Sequence, residues 1–161
     1  MPLLSNGQKF PELKLRAVGG GAIDLPQELA GSFGVVLIYR GAWCPLCREQ
    51  LAGYAAAKPE LDGLGVKVVA LSVDDEATGA ALVQEHHLTF PVGHSANADQ
   101  IAAATGAFTN DEPHYLQPTD FILAPDGSIL NAIYSTNAVG RITAGEVIRL
   151  VTFKKSQAKA A

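Results

Sequence analysis

The stretch Phe33-Gly34-Val35-Val36-Leu37-Ile38-Tyr39-Arg40-Gly41-Ala42-Trp43-Cys44-Pro45-Leu46-Cys47 decides the fold. Its first seven residues are β-branched or aromatic at most positions and apolar on both faces, the pattern of a central strand covered by helices on both sides. After Gly41 the pattern becomes helical: Leu46, Gln50, Leu51, Tyr54 and Ala55 are spaced for one face. Pro45 suits the first turn, where its missing N–H costs nothing. Two cysteines therefore sit where a buried strand turns into a helix.

That position has chemical consequences. The thiolate is the reactive form of cysteine, and the free N–H groups of a helix start stabilise negative charge. In such Cys-X-X-Cys sites the pKa falls to roughly 3.5–7.5 from about 8.5. Cys44 stands at the mouth of the helix, accessible from outside on this reading. Cys47 lies one turn farther on the same face, within reach of its neighbour's sulfur. The pair reads as a nucleophile and a resolving thiol. No other cysteine occurs in the chain, and a spacing of three is too short to staple a fold together.

Working outward, Val66 to Val73 reads as a second buried strand, completing a βαβ unit with parallel strands. Asp74-Asp75-Glu76 places acids at the start of a helix running to about His87. Upstream, Leu13 to Val18 and Ala22 to Leu25 flank Gly19-Gly20-Gly21 and predict an N-terminal β-hairpin. Downstream, Asn97 to Thr105 reads as a short helix and Phe108 to Gln117 as a long loop. Asp120 to Ala124 and Ile129 to Tyr134 form a hairpin about Pro125-Asp126-Gly127. Ala144 to Phe153 closes the chain as a helix, with residues 154–161 expected as a frayed, solvated tail. The sum is one α/β domain over residues 1–161, a central mixed β-sheet flanked by helices.

Trp43-Cys44-Pro45-Leu46-Cys47 after a buried strand resembles the thioredoxin active-site motif, and Pro118-Thr119 before Phe121-Ile122-Leu123 resembles that fold's cis-proline segment. Details are closest to the redoxin branch that includes alkyl hydroperoxide reductase, thiol-specific antioxidant and peroxiredoxins: Phe10-Pro11-Glu12-Leu13, Tyr39-Arg40-Gly41, Ala124-Pro125-Asp126-Gly127 and Gly140-Arg141. The resemblance implies a thioredoxin-like fold from about Gly7 through Val151 and redox catalysis by Cys44 and Cys47. It also implies that Pro118 is cis and faces the cysteines.

The chain departs from both patterns. Against the peroxiredoxin motif of Pro, three residues, Thr or Ser, two residues and the peroxide-attacking Cys, position 47 holds the Cys, but Cys44 replaces the Thr and Arg40 the Pro. Pro118 stands where many peroxiredoxins hold a peroxide-binding arginine. Ile38, six positions before Cys44, stands where thioredoxin has its buried acid; Glu49 is the alternative proton acceptor for Cys47. Arg40 and Arg48 bracket the pair and are placed to lower a thiolate pKa. Trp43 is expected to shield it while offering a surface to partners.

These residues predict a thiol–disulfide oxidoreductase: Cys44 attacks a disulfide of a protein or small molecule, Cys47 resolves the mixed disulfide, and an external thiol donor such as a thioredoxin or glutathione system restores the pair. Two alternatives stand beside it, a peroxiredoxin-like peroxidase that reduces hydroperoxides through a sulfenic acid and a redox-switched binding module. No metal or organic cofactor is required. A zinc site would need His86, His87, His94 or His114 beside the pair, without a second paired motif. The net charge of −4 gives no broad attraction for nucleic acid or an anionic membrane. With no signal-like start and no apolar stretch long enough to span a bilayer, the chain reads as cytoplasmic.

Overall fold

The computed structural model describes residues 3–160. Strands β1 (Leu13–Ala17) and β2 (Ala22–Leu25) form the expected N-terminal hairpin, Leu13 opposite Leu25. The hairpin also joins the main sheet: β1 pairs antiparallel with the later strand Val92–His94, Arg16 opposite His94. A short 3₁₀ turn (Gln27–Leu29) leads into β3 (Phe33–Ile38), followed by α1 (Pro45–Ala56), α2 (Lys58–Gly63) and β4 (Val66–Leu71). Next come α3 (Glu76–His86), β5 (Val92–His94) and α4 (Ala98–Thr105), then β6 (Thr109–Asn110), β7 (Tyr115–Leu116), β8 (Thr119–Leu123), β9 (Ile129–Tyr134) and α5 (Ala144–Ala160).

The seven strands of the main sheet run in the order β2-β1-β5-β4-β3-β8-β9. β3, β4 and β5 are parallel, while β8 runs antiparallel to β3 and β9 antiparallel to β8. This is the mixed sheet of a thioredoxin-like α/β fold. Because successive strand residues point to opposite faces, β3 divides its side chains between two cores. Val35 and Leu37 pack with Leu51, Tyr54, Leu82, Val147 and Val151 on the face covered by α1, α3 and α5. Val36 and Ile38 face the other core, made by Phe10, Leu15, Ile23, Ile101, Phe121 and Leu123. Cys44 and Cys47 belong to the first core.

Local chemistry fixes the helix ends. Asp75 caps α3 by accepting the Thr78 N–H at 2.8 Å, and Asn97 caps α4 by accepting from Gln100 N–H at 3.0 Å. Cys44 itself caps α1, its Sγ accepting the Cys47 N–H at 3.3 Å.

Three expectations need correction, and one helix was not expected. The segment 108–117 is not an unstructured loop: β6 and β7 pair through Thr109 with Leu116 and Asn110 with Tyr115. The tail from 154 does not fray, because α5 continues to Ala160, its lysines projecting from a helix with Val147 and Val151 buried on one side. α2, carrying Leu61 into the first core, went unread because its six residues are too few for a periodic signal. The Gln117–Pro118 bond is trans; among the described residues the cis bonds precede Pro26 and Pro113. Among those residues no helix is long and apolar enough to cross a membrane.

Phe121 fills the second core, with its ring edge-to-face on Phe10 at 5.1 Å and on Tyr134 at 5.7 Å between centroids. Phe121→Ala is expected to cost about 3–5 kcal/mol by lost burial and an unfilled cavity. Urea unfolding with an unchanged m-value is the measurement.

Candidate active site

Both cysteines lie at the start of α1, as the sequence implies, and both are free thiols with 0% of their surface exposed. The burial corrects the expectation of an accessible Cys44. Around them the backbone supplies two donors: Cys47 N–H to Cys44 Sγ at 3.3 Å and Arg40 N–H to Cys47 Sγ at 3.4 Å. The side chain of Arg141 supplies a third, its Nη2 lying 3.1 Å from Cys47 Sγ and 3.6 Å from Cys44 Sγ. One nitrogen thus reaches both sulfurs.

The two thiols titrate as a pair. Burial opposes ionisation of Cys44, but hydrogen bonds from the Cys47 thiol and amide, the charge of Arg141 and a contact from Arg40 outweigh it and hold the Cys44 pKa below the usual thiol range. Burial pushes Cys47 up, and its hydrogen bond to Cys44 adds to the rise. Of the two thiols, Cys44 is therefore the one more readily ionised.

Arg141 is held by its surroundings. Gly140, at a positive φ of 89° that favours glycine, turns the chain into the site. Arg141 Nε donates to Ala138 O at 3.0 Å and Nη1 to Gln50 Oε1 at 2.9 Å. Ser135 Oγ closes this loop from the other side with bonds to Asn137 O and Val139 O. Gln50 Nε2 in turn donates to Asp120 Oδ2 at 2.8 Å, an oxygen that also accepts the Ile142 N–H at 2.9 Å. Tyr54 OH reaches Ile142 O at 2.9 Å. Asp120 is wholly buried; burial pushes its pKa up to about 7 against the pull of the Ile142 and Gln50 hydrogen bonds and the Arg141 charge.

The mouth of the site is aromatic. Arg40 lies 4.8 Å from the Trp43 ring and 5.2 Å from the Tyr115 ring, and its Nη2 donates to Tyr115 OH at 2.8 Å. Trp43 meets Tyr115 edge-on at 5.0 Å while half of its surface stays exposed (52%). Beneath it the loop is braced by Ala42 N–H to Asp74 Oδ2 and by Arg48 Nη1 to Ala42 O, both 2.8 Å. Arg48 is thus a brace rather than a neighbour of sulfur. Gly41 is required by close approach: a Cβ there would fall on the Trp43 indole and 3.0 Å from Asp74 Oδ1.

Pro118 and Thr119 are buried, with Thr119 Oγ1 donating to Gln117 O at 3.1 Å. Glu49 is exposed and turned outward. Ile38 faces the second core, away from the sulfurs. His114 bonds Asp99 at 3.0 Å and His94 meets Glu76 at 3.3 Å. Among the described residues no group of three or more His, Cys, Asp or Glu could hold a metal ion. Arg141, Gln50, Asp120 and Tyr115 were not read as site residues. Arg141 carried a signal in the Gly140-Arg141 pair that resembles the redoxin branch, and Asp120 carried one as an acid at the head of the apolar run Phe121-Ile122-Leu123, where a buried charge demands a partner.

Two predictions attach to this geometry. Gly41→Ala is expected to displace Trp43, the chain's single tryptophan, shifting its fluorescence emission toward that of a fully solvated indole with the far-UV dichroism unchanged. For Asp120, the folded pKa near 7 exceeds the unfolded value of about 3.9, so between these the folded state holds a proton the unfolded chain has lost. That contribution makes stability fall as pH rises from about 4 to about 7. Asp120→Asn removes it, and urea unfolding across this range is expected to show the variant gaining on the wild type as pH rises.

Comparison with known proteins gives a consistent set of likenesses. The family model described as AhpC/TSA family matches residues 6–132. A peroxiredoxin of Treponema denticola is 29% identical over 94% of this chain and 73% of its own. The thiol-disulfide oxidoreductase ResA of Bacillus subtilis is 24% identical over 83% of this chain and 69% of its own. In structure, Mycobacterium bovis AhpC superposes with a TM-score of 0.83 at 22% identity, covering 98% of this chain and 96% of its own.

Proposed function

Because this chain belongs to the AhpC/TSA family and is an oxidoreductase of the redoxin type, we propose that Cys44 and Cys47 form a catalytic dithiol that reduces its substrate and closes to an internal disulfide. Cys44, the helix cap whose thiolate is favoured, attacks a substrate disulfide and expels one thiol; Cys47 then attacks Cys44 Sγ and releases the second. The observation that carries this reading is the reach of Arg141 Nη2 to both sulfurs at the head of α1. A single cation beside two thiols stabilises whichever one bears the charge during the exchange. Trp43, Pro45 and Arg40 support the pair by covering it, starting α1 and supplying an amide N–H to Cys47. Pro118 and Thr119 support the site by fixing the start of β8.

A second reading has its own support. Arg141 and the Arg40 amide both donate to Cys47, the full burial of the sulfurs favours a small oxidant over a folded protein, and the Treponema relative is named a peroxiredoxin. On that reading Cys47 attacks a hydroperoxide, an alcohol leaves, and Cys44 condenses with the sulfenic acid to release water. In either case an external thiol donor restores the pair.

Cys44→Ser and Cys47→Ser separate the readings. Disulfide reduction lost in Cys44→Ser, with peroxide ignored by every form, is the expected result; peroxide consumption and a trapped sulfenic acid confined to proteins that retain Cys47 would favour the peroxidase. Arg141→Met is expected to raise the apparent thiol pKa by about one unit, read from the pH dependence of iodoacetamide alkylation. An unchanged profile would count against Arg141 as the cation of the site.

A further inference from the structure

Asp120 uses only one of its carboxyl oxygens. Oδ2 accepts from Ile142 N–H and Gln50 Nε2, whereas Oδ1 is enclosed with no hydrogen-bond partner. Gln50 has a donor end and an acceptor end, and it spends the first on Asp120 and the second on Arg141 Nη1. Arg141 Nη2 spends its hydrogens on the sulfurs. A continuous chain of contacts therefore runs from Asp120 through Gln50 and Arg141 to the cysteine pair, with one fixed cation between two places that can carry negative charge.

Charge balance decides which place carries it. A guanidinium stays positive throughout the range that proteins occupy, and Arg141, half-buried and only partly reached by water, is favoured by an anion nearby. Where Cys44 ionises, its thiolate answers Arg141, and a second buried anion in the same network would repel it. When the sulfurs join, the thiolate charge disappears, and Asp120 is the acid that Gln50 links to Arg141. We propose that Asp120 is a redox-linked proton carrier for the pair: it holds a proton while Cys44 and Cys47 are reduced and releases it when they form a disulfide. The proposal rests on the dithiol reading above.

The stoichiometry supports it. A thiolate and a thiol that close to a disulfide give up two electrons and one proton as the Sγ–Sγ bond forms. A disulfide that leaves as two thiols takes up two electrons and two protons, and so does a hydroperoxide that leaves as alcohol and water. Asp120 supplies the second proton, and the external thiol donor returns two electrons and two protons when it reduces the pair. The carboxyl's rise to about 7 by burial puts the change near neutral pH.

The groups packed around Asp120 leave it this role. From α1, Tyr54 is held well above its ordinary pKa by burial and stays neutral. From α5, Glu146 is engaged by Thr143 at the surface, whose amide and hydroxyl hydrogen bonds keep its pKa low. Opposite Asp120 on β3 and β9 stand Leu37 and Ile133, which do not titrate. Tyr39 lies near Cys47, but burial pushes it up to about 12. Arg40 stands at the mouth, bonded to Tyr115.

The test is the pH dependence of the midpoint potential of the full chain, from thiol–disulfide equilibration between about pH 5.5 and 8.5. The wild type is expected to take up two protons per electron pair in the middle of this range and Asp120→Asn one; equal stoichiometry in the two proteins would overturn the proposal. Oxidised-minus-reduced infrared spectra of the wild type require no variant. A protonated carboxyl band that shifts with ¹³C-aspartate and disappears on oxidation is expected, and its absence would also overturn the proposal. Peptide mass analysis of the oxidised protein separates the two levels: without a Cys44–Cys47 bond the dithiol reading itself fails and the proton carrier falls with it.

Discussion

A single guanidinium group in contact with two buried sulfur atoms is the interaction on which the site depends. Taking a cation and a thiolate out of water is costly unless each has the other and the remaining donors are satisfied. The chain meets this with short-range fixtures: Ala138 O and Gln50 Oε1 hold Arg141 from two sides, and two backbone N–H groups attend the sulfurs. Those fixtures come from three separate segments, the β3–α1 loop, α1 and the loop before α5, with Asp120 of β8 holding Gln50 from behind. The sheet and the first core exist, functionally, to hold these segments in register.

The mouth obeys a different logic. Trp43, Arg40 and Tyr115 form a cluster, the two rings edge to face with the guanidinium against both, anchored below by Asp74 and Arg48 through Ala42. Such a cover excludes water from the pair and so strengthens every charge interaction behind it. It also limits what reaches the sulfurs. With Trp43 half exposed and the cysteines at 0%, side chains at the mouth must move before any substrate touches sulfur.

Much of this was legible in the sequence because it depends on local patterns. The buried run Val35 to Tyr39, the proline at the head of α1 and the alternation of the N-terminal hairpin each report their own conformation, and the structure follows them within a residue or two. The helix face was read less well. Leu46 points outward, 37% exposed, and the buried stripe is Cys47, Leu51 and Tyr54. What stayed hidden involves long separations. Arg141 stands 94 positions from Cys47 and Asp120 stands 70 from Gln50, and no periodicity or spacing relates residues so distant. Tyr115 escaped because a pair of two-residue strands is too short to carry an alternation.

The fate of position 38 shows why counting along a motif fails where register succeeds. Side chains alternate across a strand, so a displacement of one residue moves a group from one face of the sheet to the other. In this chain Leu37 and Tyr39 share the face of the cysteines and Ile38 looks into the opposite core; an acid at 38 would be buried on the wrong side. A carboxyl can reach the pair's side from the neighbouring strand if it stands opposite Leu37 or Val35. The antiparallel register of β3 with β8 sets Asp120 opposite Leu37 and Ile122 opposite Val35. Of these two positions the first lies toward the end of β3 that leads to the cysteines, and there the acid is found. The buried acid is thus supplied by the adjacent strand, which explains why it contacts the sulfurs through Gln50 and Arg141 rather than directly.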